Sequence, residues 1–321
     1  MNKNSAKQLQ EFAKLWGGFR ASRVVLTANN YRIFDHLKAP KTAGEIARAI
    51  SADQRAAEIL LDAVTSLGLL KKTGTKYRNT ELAREFLLKD SPLYQGDMLR
   101  HADSLWKSWS GLDEVVRTGL PNRSGGRDYG SFIRAMHNNA VIRAKGAISA
   151  IDLKGVRRAL DLGGGPGTYS MELARKKIDV TLFDLPEAIT IAKELVSSSG
   201  IENINFASGD FHADDIGSGF DLVFISQIVH SLSIDETQAL IEKASDALGP
   251  KGRIVIHEFL LEKDRAHPVP AALFSVNMLV NTAAGRSYTV QELRGWLAMA
   301  GFTAIRTKAL GETAIVTERK T

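Results

Sequence analysis

Four glycines fall within residues 163–167 of the segment Asp161 to Ser170, DLGGGPGTYS, directly after the apolar run RALDL. A strand that enters a helix through so many residues without side chains exposes bare backbone at the turn. A ligand can approach that backbone closely and meet the free N–H groups that open the helix. Such turns stand at the carboxyl edge of open α/β sheets, which makes the segment the strongest constraint on the fold.

The chain after Gly155 agrees with it. Apolar strand-like runs alternate with amphipathic helices: RALDLG, DVTLFDL, NINFASGD, FDLVFISQ, RIVIHEFLL, FTAIRTKAL and TAIVTER. This alternation predicts a parallel, doubly wound sheet. The last two runs are joined only around Gly311, a gap too short for a crossover helix, so they must pair antiparallel. The predicted class is therefore α/β, a Rossmann-like sheet closed by a terminal antiparallel hairpin. That closure is the arrangement of S-adenosylmethionine (SAM) methyltransferases rather than of dehydrogenases.

The residues around the turn suit SAM. Asp161 can meet the ammonium end of the methionine. Asp184 ends the second strand in VTLFDLP, nineteen residues past Gly165, and can accept from both ribose hydroxyls. In SGDFH, Asp210 falls near the adenine amino group and Phe211 against the ring. With Gly163, Gly165, Leu185, Gly209 and Ser226, these are the candidate cofactor residues. GGGPG also has the G-x-G spacing of a dinucleotide site. Three features decide against NAD: Asp161 directly before the glycines, Pro166 where a pyrophosphate wants free N–H groups, and the terminal hairpin.

The first hundred residues read differently. Helices are expected over Ala6–Trp16, over Ala21–Leu37 before Pro40, over Thr42–Ile50 with a Thr42–Glu45 capping box, and over Ala56–Leu67 with Gly68 as C-cap. Two short strands then turn at Gly74 in LLKKTGTKYRNT. The last three of these helices and the ribbon give a mostly α winged-helix domain. Its candidate recognition helix carries Asp53, Glu58 and Asp62 beside Arg55, a nearly neutral face that argues against groove binding. The expected division is residues 1–97 for this dimerisation module and 98–321 for the methyltransferase domain. Within the latter, 98–155 is a helical linker and pocket region, broken at Pro121 to Gly130.

In order and spacing, TAGEIARAI…AAEILLDAVTSLGLLKKTGTKYRNTELAREFL, DLGGGPGTYS, FDLPEAI, GDFH and GFDLVFISQIVHSLSIDE resemble small-molecule O-methyltransferases. That family includes plant caffeate and flavonoid enzymes, acetylserotonin methyltransferase and bacterial polyketide-tailoring enzymes. The resemblance covers nearly the whole chain. It implies a homodimer through interlocked N-terminal helices. It also implies an active-site role for the helix bearing FIRAMH, and so for Phe132 and Met136.

A phenol has an unperturbed pKa near 10, so its methylation profits from a general base, and histidine suits that task. His230 follows the fourth strand, where the family has its catalytic histidine in a stretch resembling LHDW-x-DE. Here the stretch reads VHSLSIDE, with Ser231 and Leu232 in place of the Asp and Trp. Glu258 matches the first glutamate that orients this histidine. The second lies in a stretch resembling GKERT, which here reads GRSYT and places Ser287 at that point. A serine there could hydrogen-bond His230 without stabilising an imidazolium. The acceptor pocket is expected from Phe132, Met136, Trp106, Phe274, Asn277, Met278 and Asn281, a mostly apolar set suited to a flat aromatic or polyketide-like molecule.

The absence of cysteine excludes disulfides, thiolate zinc and a cysteine nucleophile. His257-Glu258 begins a zinc-protease pattern, but Leu261 replaces the second histidine, so no metal is expected. No apolar run approaches the roughly 18 residues of a membrane span, and the polar N-terminus lacks a secretory core. A cytoplasmic protein follows, with no membrane partner. Net charge of +6 is spread along the chain, and no nucleic-acid partner is expected. The leading reading is SAM-dependent O-methylation of an aromatic or polyketide-like hydroxyl, with S-adenosylhomocysteine as product. C- or N-methylation and a SAM-responsive winged-helix regulator are the alternatives.

Overall fold

In the computed structural model, which describes residues 3–122 and 129–320, the chain divides into two units, Met1–Asp103 and Ser104–Thr321. The first opens with α1 (Lys3–Gly17), α2 (Phe19–Asn30) and α3 (Ile33–His36). The single helix expected over Ala21–Leu37 is thus two. Tyr31 and Arg32 return their N–H groups to Thr27 and Asn29, and Arg32 takes a left-handed φ of 52°. The Asn29 side chain donates to Gly96 O at 2.9 Å, fixing the end of α2 from far along the sequence. Ile33 and Phe34 thereby turn into the core and are fully buried.

A two-residue strand β1 (Lys41–Thr42), α4 (Ala43–Ala49) and α5 (Gln54–Ser66) follow. Both bonds of the Thr42–Glu45 capping box are present. Asp53 caps α5, and Gly68 leaves it at φ 78° with its N–H on Thr65 O. The ribbon β2 (Leu70–Thr73) and β3 (Lys76–Asn79) precedes α6 (Glu81–Leu87), and the three strands pair antiparallel in the order β1-β3-β2. Phe34, Ile46, Leu61, Val64 and Tyr77 form the core beneath.

Beyond α7 (Gly96–Trp109), the second unit has α8 (Leu112–Thr118), α9 (Tyr129–Val141) and α10 (Ala144–Ser149). Most of the break expected at Pro121 to Gly130 lies outside the described residues. The alternating region becomes β4 (Arg158–Leu162), α11 (Thr168–Ala174), β5 (Asp179–Asp184), α12 (Pro186–Ser197) and β6 (Ile204–Ser208). It continues with β7 (Phe220–Ser226), α13 (Ile234–Ala247), β8 (Leu248–Glu258), α14 (Val269–Asn281) and α15 (Val290–Met299), and ends in β9 (Phe302–Leu310) and β10 (Thr313–Lys320).

The seven strands lie in the order β6-β5-β4-β7-β8-β10-β9. β4, β5, β6, β7 and β8 pair parallel. β10 runs antiparallel to β8 and β9, turning at Gly311 with φ 61°, as the short gap requires. Side chains alternate across the pleat. Val223, Ile225, Ile254 and Ile256 enter the core on one face, and Leu222, Phe224, Val255 and Ile315 that on the other. Strand order reverses on either side of β4, and open α/β sheets bind ligands at the carboxyl ends of strands around such a switch point.

Candidate active site

The glycine turn closes tightly everywhere except at one point. A Cβ on Gly164 would lie 2.8 Å from Leu182 Cγ and 2.9 Å from the Asp161 carboxylate, whereas one on Gly165 would meet nothing within 4 Å. Gly165 holds φ 53°, so its backbone faces open space in a conformation that side chains disfavour. Its N–H donates to Asp184 Oδ2 at 2.7 Å, and Leu185 N–H donates to Oδ1 at 2.7 Å. Asp184 is thus clamped by backbone at the end of β5. Gly209 N–H donates to the Asp184 carbonyl at 3.0 Å, bringing the end of β6 alongside.

At this edge Asp161 is buried and Asp184 half-buried, and no ion pair involves either among the described residues. Asp161 is buried at the end of β4, and Ser170 Oγ donates to it at 2.6 Å. Burial pushes its pKa up to about 7; Ser170 opposes the shift and the Asp184 charge adds to it. Burial also raises Asp184, against the N–H groups of Gly165 and Leu185. A buried and a half-buried acid flanking open backbone fit a ligand with a cationic end and a pair of hydroxyls, as SAM has. Asp210 anchors the next loop by accepting from His212 N–H at 2.9 Å. Lys243 Nζ holds the same loop through the carbonyls of Phe211 at 2.7 Å and Asp214 at 2.6 Å.

On the neighbouring strands the second part of the site is assembled. After β7, Gln227 takes a left-handed φ of 59°, a strained conformation for a residue with a side chain. The chain then enters a short turn of helix, Val229–Ser231. His230 meets Glu258 there, with Nδ1 2.8 Å from Oε1 and 3.0 Å from Oε2. Glu258 is fully buried and also accepts the N–H groups of His230 and Phe259, each at 3.1 Å. The carboxylate can only accept, so Nδ1 carries its hydrogen and Nε2 keeps a free lone pair. Phe274, on α14, meets the His230 ring edge-on at 4.7 Å and packs on Phe259 at 4.4 Å.

Ser287 does not take the place of the second carboxylate. It is buried and donates to Ala271 O at 2.9 Å rather than to His230, because α14 presents that carbonyl to it. The next residue, Tyr288, is fully buried and donates to Leu232 O at 2.6 Å, tying this loop to the segment that carries His230.

The acceptor candidates occupy three helices, with Trp106 half-buried on α7. Phe132 is exposed on α9 and Met136 is half-buried. On α14, Asn277 Oδ1 accepts from Trp109 Nε1 at 2.9 Å and from Asn281 Nδ2 at 3.1 Å. Met278 is buried.

Several residues at this edge escaped the sequence reading. On α9, Tyr129 is pushed up to about 12 by burial, the charges of Asp184 and Glu187 adding. His137 Nδ1 lies 2.8 Å from Thr168 Oγ1, joining α9 to the helix that follows the glycine turn. Ser226 Oγ lies 3.0 Å from His257 Nδ1. The only sequence mark on His257 is the broken zinc pattern, and the pleat explains why that pattern is hollow: His257 and Glu258 face opposite sides of the sheet. Among the described residues no cluster of His, Asp and Glu could hold a metal ion, and no helix is long and apolar enough to cross a membrane.

Comparison with known proteins bears on the whole chain. Residues 121–303 match the family model of an O-methyltransferase domain, and residues 13–89 that of an O-methyltransferase dimerisation domain. The 3-hydroxy-5-methyl-1-naphthoate 3-O-methyltransferase of Streptomyces sahachiroi is 36% identical, over 83% of this chain and 81% of that protein. The tetracenomycin polyketide synthesis 8-O-methyl transferase TcmO of Streptomyces glaucescens is 30% identical, over 94% of this chain and 93% of its own. Human N-acetylserotonin methyltransferase, solved in complex with SAM, superposes with a TM-score of 0.89 at 28% identity, over 99% of this chain and 98% of that one.

Proposed function

This chain belongs to the O-methyltransferase family and is a SAM-dependent methyltransferase, and from that premise we propose that it methylates a phenolic hydroxyl on a flat aromatic or polyketide-like molecule. The observation that carries this reading is the His230–Glu258 pair at the sheet's carboxyl edge, with Nε2 left free to take a proton. The naphthoate and tetracenomycin specificities in the names of two relatives support an aromatic acceptor.

Bound SAM supplies a methyl group on a sulfonium centre, and its loss leaves S-adenosylhomocysteine. Asp161 would hold the ammonium end of the ligand, Asp184 the ribose hydroxyls, and Asp210 with Phe211 the adenine, while Gly163, Gly165, Leu185, Gly209 and Ser226 would line the walls. His230 Nε2 accepts the hydroxyl proton as the oxygen takes the methyl group. Glu258 holds Nδ1–H and balances the imidazolium that forms. Phe132, Met136, Phe274, Asn277 and Asn281 bound the acceptor.

Release of S-adenosylhomocysteine from a panel of acceptors tests the reading. Hydroxynaphthoates and hydroxylated polycyclic aromatics should turn over, and the matching amines and non-hydroxylated rings should not. Turnover confined to the amines or to ring carbons would overturn it.

The dimerisation domain has an apolar face that supports assembly with a second copy. On α1, Phe12 is 61%, Leu15 81% and Trp16 56% exposed, far more contiguous apolar surface than a solvated helix keeps. Leu15→Glu should shift the protein from dimer to monomer in sedimentation analysis. A dimer unchanged in that variant would place the interface elsewhere.

A further inference from the structure

His257 lies on the face of the sheet away from Glu258, and both of its ring nitrogens are engaged across strands. Nδ1 lies 3.0 Å from Ser226 Oγ on β7, and Nε2 lies 2.8 Å from Thr313 Oγ1 at the start of β10. Thr313 Oγ1 also lies within reach of Leu310 O, at 3.1 Å. The Tyr169 hydroxyl, on the helix after the glycine turn, is a further hydrogen-bond neighbour of Ser226, which opposes the burial that raises it. Either neutral tautomer of His257 donates at one ring nitrogen and accepts at the other, and so bridges Ser226 to Thr313.

A ring that donates at one nitrogen and accepts at the other must be an uncharged imidazole. Burial pushes His257 down to about 4, with Glu258 opposing and Arg143 adding. The ring lies among Tyr169, edge-on at 5.6 Å, and Phe224, stacked at 6.5 Å.

The backbone of the same residue holds the exit of β7. His257 O accepts the N–H of Gln227 at 2.9 Å and Gln227 Nε2 at 3.3 Å. Gln227 is the strained residue that turns the chain toward His230. Ser226 before the bend is held by the ring and Gln227 at the bend by the carbonyl. The next residue along β8 is Glu258, which receives His230 on the far side.

We propose that His257 is a positioning residue, a neutral hydrogen-bond bridge that fixes the bend after β7 so that His230 is delivered onto Glu258. The proposal rests on His230 acting as the base. Geometry displaced by about 1 Å can cost up to about 100-fold in rate, so His257→Leu should lower kcat tenfold or more, with a much smaller rise in the KM for SAM through Ser226. His257→Asn, whose amide can still hydrogen-bond Ser226, should keep kcat within about threefold of the parent, a loss of about 0.6 kcal/mol.

The deciding experiment places His257→Leu in a His230→Ala background and measures kcat, with SAM affinity as the check on folding. Through His230 the two losses cannot multiply, so the double variant should match His230→Ala alone. Multiplying losses, or a His257→Leu kcat equal to the parent, would overturn the proposal and leave His257 a packing residue. Full turnover in His230→Ala would instead overturn the base assignment on which it stands, so the two failures are distinct.

Discussion

His230→Ala should lower turnover by about 10²–10⁴-fold, the usual yield of a positioned general base, while SAM binds as tightly as to the parent. The separation follows from the layout. His230 and Glu258 stand after β7 and at the end of β8, whereas the glycine turn, Asp184 and the Gly209–Asp210 loop follow β4, β5 and β6. Glu258→Gln should cost less in kcat, since an amide oxygen can still accept Nδ1–H but brings no charge to stabilise the imidazolium. Parallel loss of SAM affinity in His230→Ala would show that the histidine shapes the cofactor site instead.

Asp161→Asn should have the next largest effect, and opposite signs on stability and on binding. The folded pKa of Asp161, about 7, lies above its ordinary 3.8 because burial disfavours the charge. A carboxyl raised on folding binds more protons folded than unfolded. Its contribution to stability is complete below pH 3.8 and is lost as pH rises through about 7. The unliganded protein should therefore lose melting temperature over that window, and Asp161→Asn should remove this part of the dependence and melt higher at pH 8.

SAM reverses the sign, because its ammonium end favours the carboxylate. Affinity of the parent should rise from pH 6 to 8 as Asp161 ionises. Asp161→Asn should bind about 10- to 100-fold more weakly, the loss of about 1.5–3 kcal/mol for a charge-assisted hydrogen bond, and without that rise. Calorimetric titration at the two pH values reads both. Unchanged affinity in the variant would remove Asp161 from the ligand's cationic end. The buried acid is in this view a strain that the ligand relieves.

What could be read from the sequence was set by short-range physics. The glycine turn, the Thr42–Glu45 box, the Gly68 cap and the hairpin at Gly311 each need only neighbouring residues, and each stands where the sequence puts it. The alternation of strands and helices carried the sheet for the same reason. The break between α2 and α3 could not be read, because the bond anchoring Asn29 comes from Gly96, 67 residues away. Ser287 looked like a hydrogen-bond partner for His230 until α14 supplied a carbonyl 16 residues back. His257 joins residues 31 and 56 positions distant, and no local pattern signals such a bridge. His230 and Glu258 were legible because one closely follows and the other ends a recognisable strand, in stretches that resemble the family's catalytic motifs.

The role of His230 is tested most directly by the acidity of the acceptor. A base is needed only where the hydroxyl holds its proton, so the ratio of parent to His230→Ala turnover should fall along a series of phenols of decreasing pKa. For a phenol already ionised at the assay pH, the ratio should approach one. A ratio that stays large and constant across the series would contradict proton removal by His230 and leave it a residue that merely holds the acceptor.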